Sequence, residues 1–284
     1  MSFCRFLWDN TAFDNAAISA SSAASGLPAS YMQDHLRGNV TQTDGVTTAY
    51  WDVDFGEEVW CNSAAFINNN FSTTGVITIT AGTSAGDSDL LDASFDAVVA
   101  YVGFGESGFG YDSGFGGFLT DEQISRYSTD PCREVHFDGV GARYWRFTVA
   151  DPENSDGYLQ IGRVFLCEAV NAPMPAKPLD FKPQSLSATI KTKGGQKHTD
   201  LGSKFRSLNL VWPSIEPEHV WWTFVEMFWD VCADKDFVVS LSFDEDDSQD
   251  LWLGTIYGRL LTEGQMSLDN VLNGNSAMRI EESL

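Results

Sequence analysis

The stretch that most constrains the fold is Gly141 to Leu166, GARYWRFTVADPENSDGYLQIGRVFL. From Tyr144 to Val149 the side chains alternate. Trp145, Phe147 and Val149 share one face, and Tyr144, Arg146 and Thr148 share the other. A period of two marks a strand buried on one side only. Asp151-Pro152 ends that strand, and Asn154-Ser155-Asp156-Gly157 is dense turn chemistry. Leu159, Ile161 and Val164 to Leu166 then resume an apolar strand. The pair is expected to close a β-sandwich.

The residues before it fit the same class. Ile18 to Ser21 reads as a strand and Gly26-Leu27-Pro28 as a turn. Ala29 to Leu36 has room for one helical turn. Ala49 to Gly56 alternates with Trp51, Val53 and Phe55 inward. Val59 to Ile67 and Val76 to Thr80 are further strands. Short strands separated by turns at about ten-residue spacing predict an all-β sandwich or barrel. Residues 103–118, GFGESGFGYDSGFGGF, interrupt the rhythm: seven of the sixteen are Gly and five are aromatic. Glycine raises the entropic cost of a strand and supplies no packing surface, so this is a long loop between strands. Its aromatics, Phe104, Phe109, Tyr111, Phe115 and Phe118, either form an adaptable contact loop or tuck under the sandwich.

A formal GxGxxG (Gly103, Gly105, Gly108) falls in the same loop, but no βαβ unit surrounds it, which argues against a dinucleotide site. The formal net charge of −23 argues against nucleic acid as a partner, because phosphate binding needs a basic face. It equally argues against a polybasic membrane anchor. Val220 to Trp229, the most apolar stretch, is short and contains Glu226, so no membrane-inserted helix is expected. MSFCRFLWDN carries no apolar run long enough for a signal peptide. Cys4, Cys61, Cys132, Cys167 and Cys232 are odd in number, widely spaced and without CxxC. They are read as buried reduced thiols of a cytosol-made chain.

All seven lysines lie beyond residue 176, a composition step that suggests a domain boundary. Residues 171–183, NAPMPAKPLDFKP, hold four prolines and predict a stiff extended linker. The expected organisation is a first domain over 1–170, the linker, and a second domain over 184–284. In the second, Leu186 to Ile190 and Phe205 to Val211 are strands, with Leu208, Leu210 and Trp212 on one face. Between them Lys191, Lys193 and Lys197 sit on a basic loop or hairpin tip. Ser214 to Asp236 reads as a helix with Pro217 in its first turn. Trp221, Phe224, Val225, Phe228 and Cys232 follow helical spacing, and Trp222 and Trp229 widen the apolar arc. That arc fits either a helix sunk in its own core or one with a second partner surface. Phe237 to Phe243, Leu251 to Leu261 and Ser276 to Glu282 complete a β fold with one helix.

Motifs that carry chemistry are sparse. The four histidines, His35, His136, His198 and His219, show no metal-ligand spacing, and there is no HExxH, GxSxG or Walker-type loop. Asp244 to Asp247 and Asp87-Ser88-Asp89 do not fit an EF-hand and are read as solvated turns. The sequence names no catalytic residue, no metal ligand and no cofactor, and the expectation is a non-enzyme.

Three pieces together resemble a known family. They are Ser19 to Ser22 with Leu27 to Asp34; Trp51 to Gly56 with Val59 to Ile67; and Ala142 to Phe147 with Gly157 to Phe165. Their order is similar to the discoidin-like (coagulation-factor type C) jelly-roll module, versions of which occur in tail proteins of long-tailed bacteriophages. Strands, one helix, then strands ending in the Met278-Arg279-Ile280-Glu281-Glu282 stretch resembles the tail-tube-like β-sandwich of phage distal tail proteins. The fold the resemblance implies is mainly β: an N-terminal jelly-roll sandwich plus a C-terminal tail-tube-like sandwich with one α-helix. The function it implies is a structural component of a virion tail tip or baseplate, made in the host bacterial cytoplasm. Such a component would assemble as a symmetric ring on other tail and baseplate proteins. Trp222, Trp229, Lys191, Lys193 and Lys197 would be its assembly contacts. The alternative is a carbohydrate-binding protein of host recognition, with an aromatic side chain stacked on a surface glycan.

Overall fold

The two most clearly alternating stretches form two long strands paired with each other. In the computed structural model these are β4 (Thr48–Ile67), 20 residues long, and β9 (Cys132–Ala150), 19 residues long. The structure describes residues 3–36, 38–98, 101–102, 117–118, 132–176, 180–191, 193, 196–200, 202–215, 222–232, 234–242, 254–261, 265–270 and 273–283. The chain is mainly β and divides into two units. The first comprises residues 1–173 with 237–255, and the second residues 174–236 with 256–284.

Before β4 in the first unit come β1 (Phe3–Leu7), a short α1 (Thr11–Asp14), β2 (Ala17–Ala20), a 3₁₀ turn (Ala29–Gln33) and β3 (Thr41–Gln42). After it come β5 (Val76–Gly82), β6 (Leu91–Asp96), β7 (Tyr101–Val102) and β8 (Gly117–Phe118). Following β9 are β10 (Gln160–Ile161), β11 (Val164–Cys167) and β12 (Val170–Ala172). The main sheet runs β11-β4-β9-β5-β6, with β2 also on β4, all antiparallel. Two register shifts, between Asp54 and Val59 and between Cys61 and Ser63, bend the long pair. Bulges of this kind let one strand flank β2 with one half and β11 with the other.

The inward face is the one the alternation marked. Trp51, Val53, Trp145, Phe147 and Val149 are buried, and Phe55 is half-buried. The rings of Trp51 and Phe147 stack at 5.2 Å, and Phe66 meets Phe147 edge-on at 5.4 Å. The turn after β9 is held by the buried Asp151, which accepts from the backbone N–H of Ser72 at 2.7 Å and from the Asn154 side chain at 3.1 Å. Gly157 closes it with φ +73°, the left-handed region glycine tolerates. The arginine of the Ile161-Gly162-Arg163 motif is structural. It is buried, pairs with Asp14 at 2.5 Å and lies 5.1 Å from the centroid of the Phe165 ring. It thereby fastens α1 beside β11.

β17 (Phe237–Ser242) belongs to the first unit, where it pairs with β1, whose other edge carries β12. The sequence assigns residues 237–255 to the second domain, and local patterning could not place them otherwise: the partner strand lies at the opposite end of the chain. A buried Arg5–Glu134 ion pair, 3.0 Å long, ties β1 to β9. The proline-rich stretch also differs from a free linker. Its first residues end β12, and β13 (Asp180–Ser185) pairs with β16 (Lys204–Ile215). Pro183 stands in β13 because that strand is the edge of its sheet, where a missing N–H is tolerated.

The second unit is an antiparallel sheet, β18-β20-β16-β13, formed with β18 (Thr255–Leu260) and β20 (Asn273–Glu282); β19 (Gln265–Asn270) also pairs with β20. A separate hairpin joins β14 (Ala188–Lys191) to β15 (Lys197–Asp200). Leu208, Leu210 and Trp212 are buried together on one face of β16, as their spacing predicts. Helix α2 (Trp222–Val231) is shorter than expected, since Ser214 and Ile215 continue β16 past a register shift around Pro213. Cys232, at φ +43°, stops the helix by leaving the right-handed region. The buried helical residues are Phe224, Met227 and Val231, and the Phe224 ring lies 5.0 Å from Trp212. Val225 and Phe228 are half-buried, and Cys232 is exposed. Pro217, Trp221 and the Asp244–Asp247 run lie outside the described residues.

Because Phe147 touches both Trp51 and Phe66, Phe147→Ala leaves a cavity between aromatic neighbours. The expected loss is about 3–5 kcal/mol, measured by urea unfolding of the whole chain followed by circular dichroism.

Candidate functional site

The residues proposed from sequence as assembly contacts all fall on the second unit. Lys191 and Lys197 face each other across the β14–β15 hairpin, with Lys193 at its tip, and all three are exposed. None makes an ion pair with another described residue. Trp229 is 84% exposed on the side of α2 away from Phe224, Met227 and Val231. Of the two readings of the widened apolar arc, Trp229 departs from that of a helix sunk in its own core: it stands on the solvent side one turn beyond Glu226. Trp222 opens the helix. In the glycine-rich segment, Phe118 lies in β8 and pairs with Tyr101 of β7 in a two-stranded ladder. Phe104, Phe109, Tyr111 and Phe115 lie outside the described residues.

A better-formed site lies on the outward face of β2, β4 and β9. Register builds it. Ser19 stands opposite Asp52, and Asp52 opposite Arg146; Ala17 stands opposite Asp54, and Asp54 opposite Tyr144. Arg146 grips Asp52 through a fork, Nε to Oδ1 at 2.6 Å and Nη2 to Oδ2 at 3.1 Å. Arg143 grips Asp54 in the same way, at 2.7 and 2.9 Å. Planar two-point pairs of this kind fix geometry more than single charge contacts do. Each guanidinium is further seated on an aromatic ring, Arg146 at 4.1 Å from the Tyr50 centroid and Arg143 at 4.8 Å from that of Tyr144.

The loop after β5 forms the far wall. Asp89 ties it down by accepting from the Thr83 backbone N–H at 2.9 Å and the Thr83 hydroxyl at 3.0 Å. Gly86, at φ +88°, passes over the Arg146 guanidinium, where a Cβ would come within 3.1 Å of Nη2. Between this loop and β2 lies an open groove of about 250 Å³ lined by Ala17, Ser19, Asp52, Asp54, Ala85 and Tyr144, among others.

The groove offers fixed hydrogen-bonding groups. The Arg143 fork, helped by the Gly56 backbone N–H, holds the Asp54 carboxyl down from the ordinary 3.8 to about 2. Asp54 thus stays ionised at any physiological pH and presents acceptor lone pairs only. It is a poor proton donor there. The hydroxyls of Ser19 and Tyr144 can both donate and accept. Among the described residues no group of three or more His, Cys, Asp or Glu is placed to hold a metal ion.

Sequence patterning by itself does not single out this site. Its signal was present in the outward face of the Tyr144–Val149 strand and in the alternating Asp52 and Asp54. What was missing was the register that sets Asp52 against Arg146.

No protein-family model matches the chain, and no curated protein matches it. Several solved structures share a partial likeness. The lectin domain of lectinolysin, complexed with Lewis B antigen, is 18% identical; the match covers 56% of this chain and 96% of that one, with a TM-score of 0.36. A family 32 carbohydrate-binding module from C. perfringens NanJ, in complex with galactose, is 15% identical over 59% of this chain and 99% of that one, with a TM-score of 0.35. Chitosan-binding module 1 of a Paenibacillus sp. IK-5 chitosanase/glucanase is 15% identical over 54% and 94%, with a TM-score of 0.34. A Ruminococcus gnavus GH29 fucosidase is longer, and the match spans only 27% of it. These TM-scores are all well below 0.5, so the chemistry of the groove has to be read from its own residues.

The Asp54 carboxyl has a direct test. Its folded value lies below its unfolded one, so the pairing adds stability above pH 4 that fades as pH falls towards 2. In the NMR titration of this carboxyl a midpoint of about 2 is expected, and Arg143→Ala should bring it back towards about 3.9. A midpoint near 4 in the unaltered protein would show that the fork does not persist in solution.

Proposed function

We propose that the first unit recognises carbohydrate, taking one sugar ring of a surface glycan into the groove between β2 and the loop after β5. The observation that carries this is the pair of arginine-held carboxylates, Asp52 and Asp54, set beside two hydroxyls in a groove small enough for a single ring. Sugar hydroxyls need acceptors and donors in fixed positions, because each badly paired group loses the water it gave up. Arginine forks provide such fixing without mobile side chains. A polyhydroxylated neutral ligand suits the site better than an anionic one, since the acceptors are carboxylates and their arginine partners are already engaged.

On a glycan array the whole chain should bind a restricted set of sugars. Asp52→Ala should weaken that binding by about ten- to a hundredfold, the worth of a charge-assisted hydrogen bond. Equal binding by the variant would exclude the groove.

A second reading, a structural part of a phage tail tip, draws on the exposed Trp229 and the basic β14–β15 hairpin of the second unit. A large exposed indole on a helix is the kind of surface an oligomer covers. If that reading holds, light scattering should find a ring-sized species or assembly on a tail partner, reduced by Trp229→Glu. A monomer that no tail protein engages would remove it.

A further inference from the structure

Beyond the bulge, the other half of the β4–β9 pair carries a second exposed feature outside the groove. Trp60 lies on the outward face of β4, 53% exposed. It stands opposite Gly141 in the ladder, yet its indole reaches diagonally across Gly139. A Cβ at Gly139 would meet indole Cζ2 at 2.7 Å, Cε2 at 2.9 Å and Nε1 at 3.0 Å. Three ring atoms this close to one point mean that the indole lies across the glycine backbone, with the remainder of its surface towards solvent. Glu58, two residues earlier, does the same one step along: its Oε1 would lie 2.5 Å from a Cβ on Gly141. Two glycines, two residues apart, thus seat an indole and a carboxylate side by side. Their spacing along the strand is about 7 Å, the scale of one sugar ring. Neither the Trp60 N–H nor the Glu58 carboxylate has a hydrogen-bond partner among the described residues.

The surrounding charge is one-sided. Glu57 and Asp138 are also exposed, while Arg143, the cation next along β9, is engaged by Asp54. His136, further back on β9, is exposed, and its Nδ1 is hydrogen-bonded to Ser63 Oγ at 2.8 Å. An apolar ring beside an unpaired carboxylate suits a ligand with an apolar face and a positive charge on one rim. Trp is the strongest aromatic partner for a cation, and a carboxylate–ammonium hydrogen bond is among the stronger polar contacts.

We infer that Trp60 and Glu58, seated on Gly139 and Gly141, form a second sugar platform selective for amine-bearing sugars of the glucosamine type. The pyranose C–H face stacks on the indole, and the protonated amine sits against Glu58. This platform stands apart from Asp52 and does not depend on the groove being a sugar site.

The test is isothermal titration of the whole chain with glucosamine hexamer and with N-acetylglucosamine hexamer, at low salt and pH 6. The amine form should bind at least about tenfold more tightly. Trp60→Ala, which removes an exposed side chain, should lower that affinity by about tenfold with the melting temperature unchanged. Gly139→Ala, which lifts the indole without deleting it, should also weaken binding. Glu58→Gln should bring the two hexamers to near parity. Equal affinity for the two hexamers, no binding of either, or unchanged affinity in Trp60→Ala would each overturn the inference. So would choline competing as well as a glucosamine monomer, since the sugar ring would then contribute nothing.

Discussion

The first unit depends on one antiparallel pairing. β4 and β9 run beside each other from Thr48–Ala150 to Ile67–Cys132, interrupted only by two register shifts. The inward side of this ladder stacks Trp51 on Phe147 and sets Phe66 edge-on to it. The outward side sets Asp52 against Arg146 and Asp54 against Tyr144. Burial on one face fixes the register strongly, because a slip of one residue would send the aromatics to solvent and the charges to the core. The polar forks are therefore positioned by the hydrophobic effect acting on the opposite side of the same strands.

The bulge between Asp54 and Val59 gives the ladder its two environments. Before it, the outward face is walled by the loop after β5 at Ala85 and becomes a groove. Beyond it, the facing strand carries Gly139 and Gly141, and the same face becomes an open shelf on which Trp60 lies. Arg143 stands at the junction and is spent on Asp54, which leaves the shelf acidic. Groove and shelf therefore differ in charge and in available ring surface although they are built on the same two strands.

Much of the fold was legible in the sequence because alternation is a local signal. Trp51, Val53, Trp145, Phe147 and Val149 are buried as their period of two requires, as are Leu208, Leu210 and Trp212 in the second unit. Non-local pairing was not legible. Phe237–Ser242 pairs with Phe3–Leu7 from the far end of the chain, and no spacing near residue 237 announces it. Helix α2 illustrates a different failure. Its apolar residues exceed one face, so spacing alone could not say which of them stay outside the core; Phe224, set against Trp212, is buried, as is Met227, and Trp229 is left outside. The site was hidden for the first of these reasons. Asp52 and Arg146 lie 94 residues apart, and their meeting is a matter of register.

We propose centrally that a sugar ring enters the groove between β2 and the loop after β5. Backbone amide shifts of the whole chain, followed by NMR while a glycan selected on the array is titrated in, test it most directly. Saturable shifts centred on Ser19, Asp52, Asp54, Ala85 and Tyr144, with the hairpin 188–200 unmoved, are the result predicted. Saturable binding that leaves those five amides in place and perturbs residues elsewhere would contradict it.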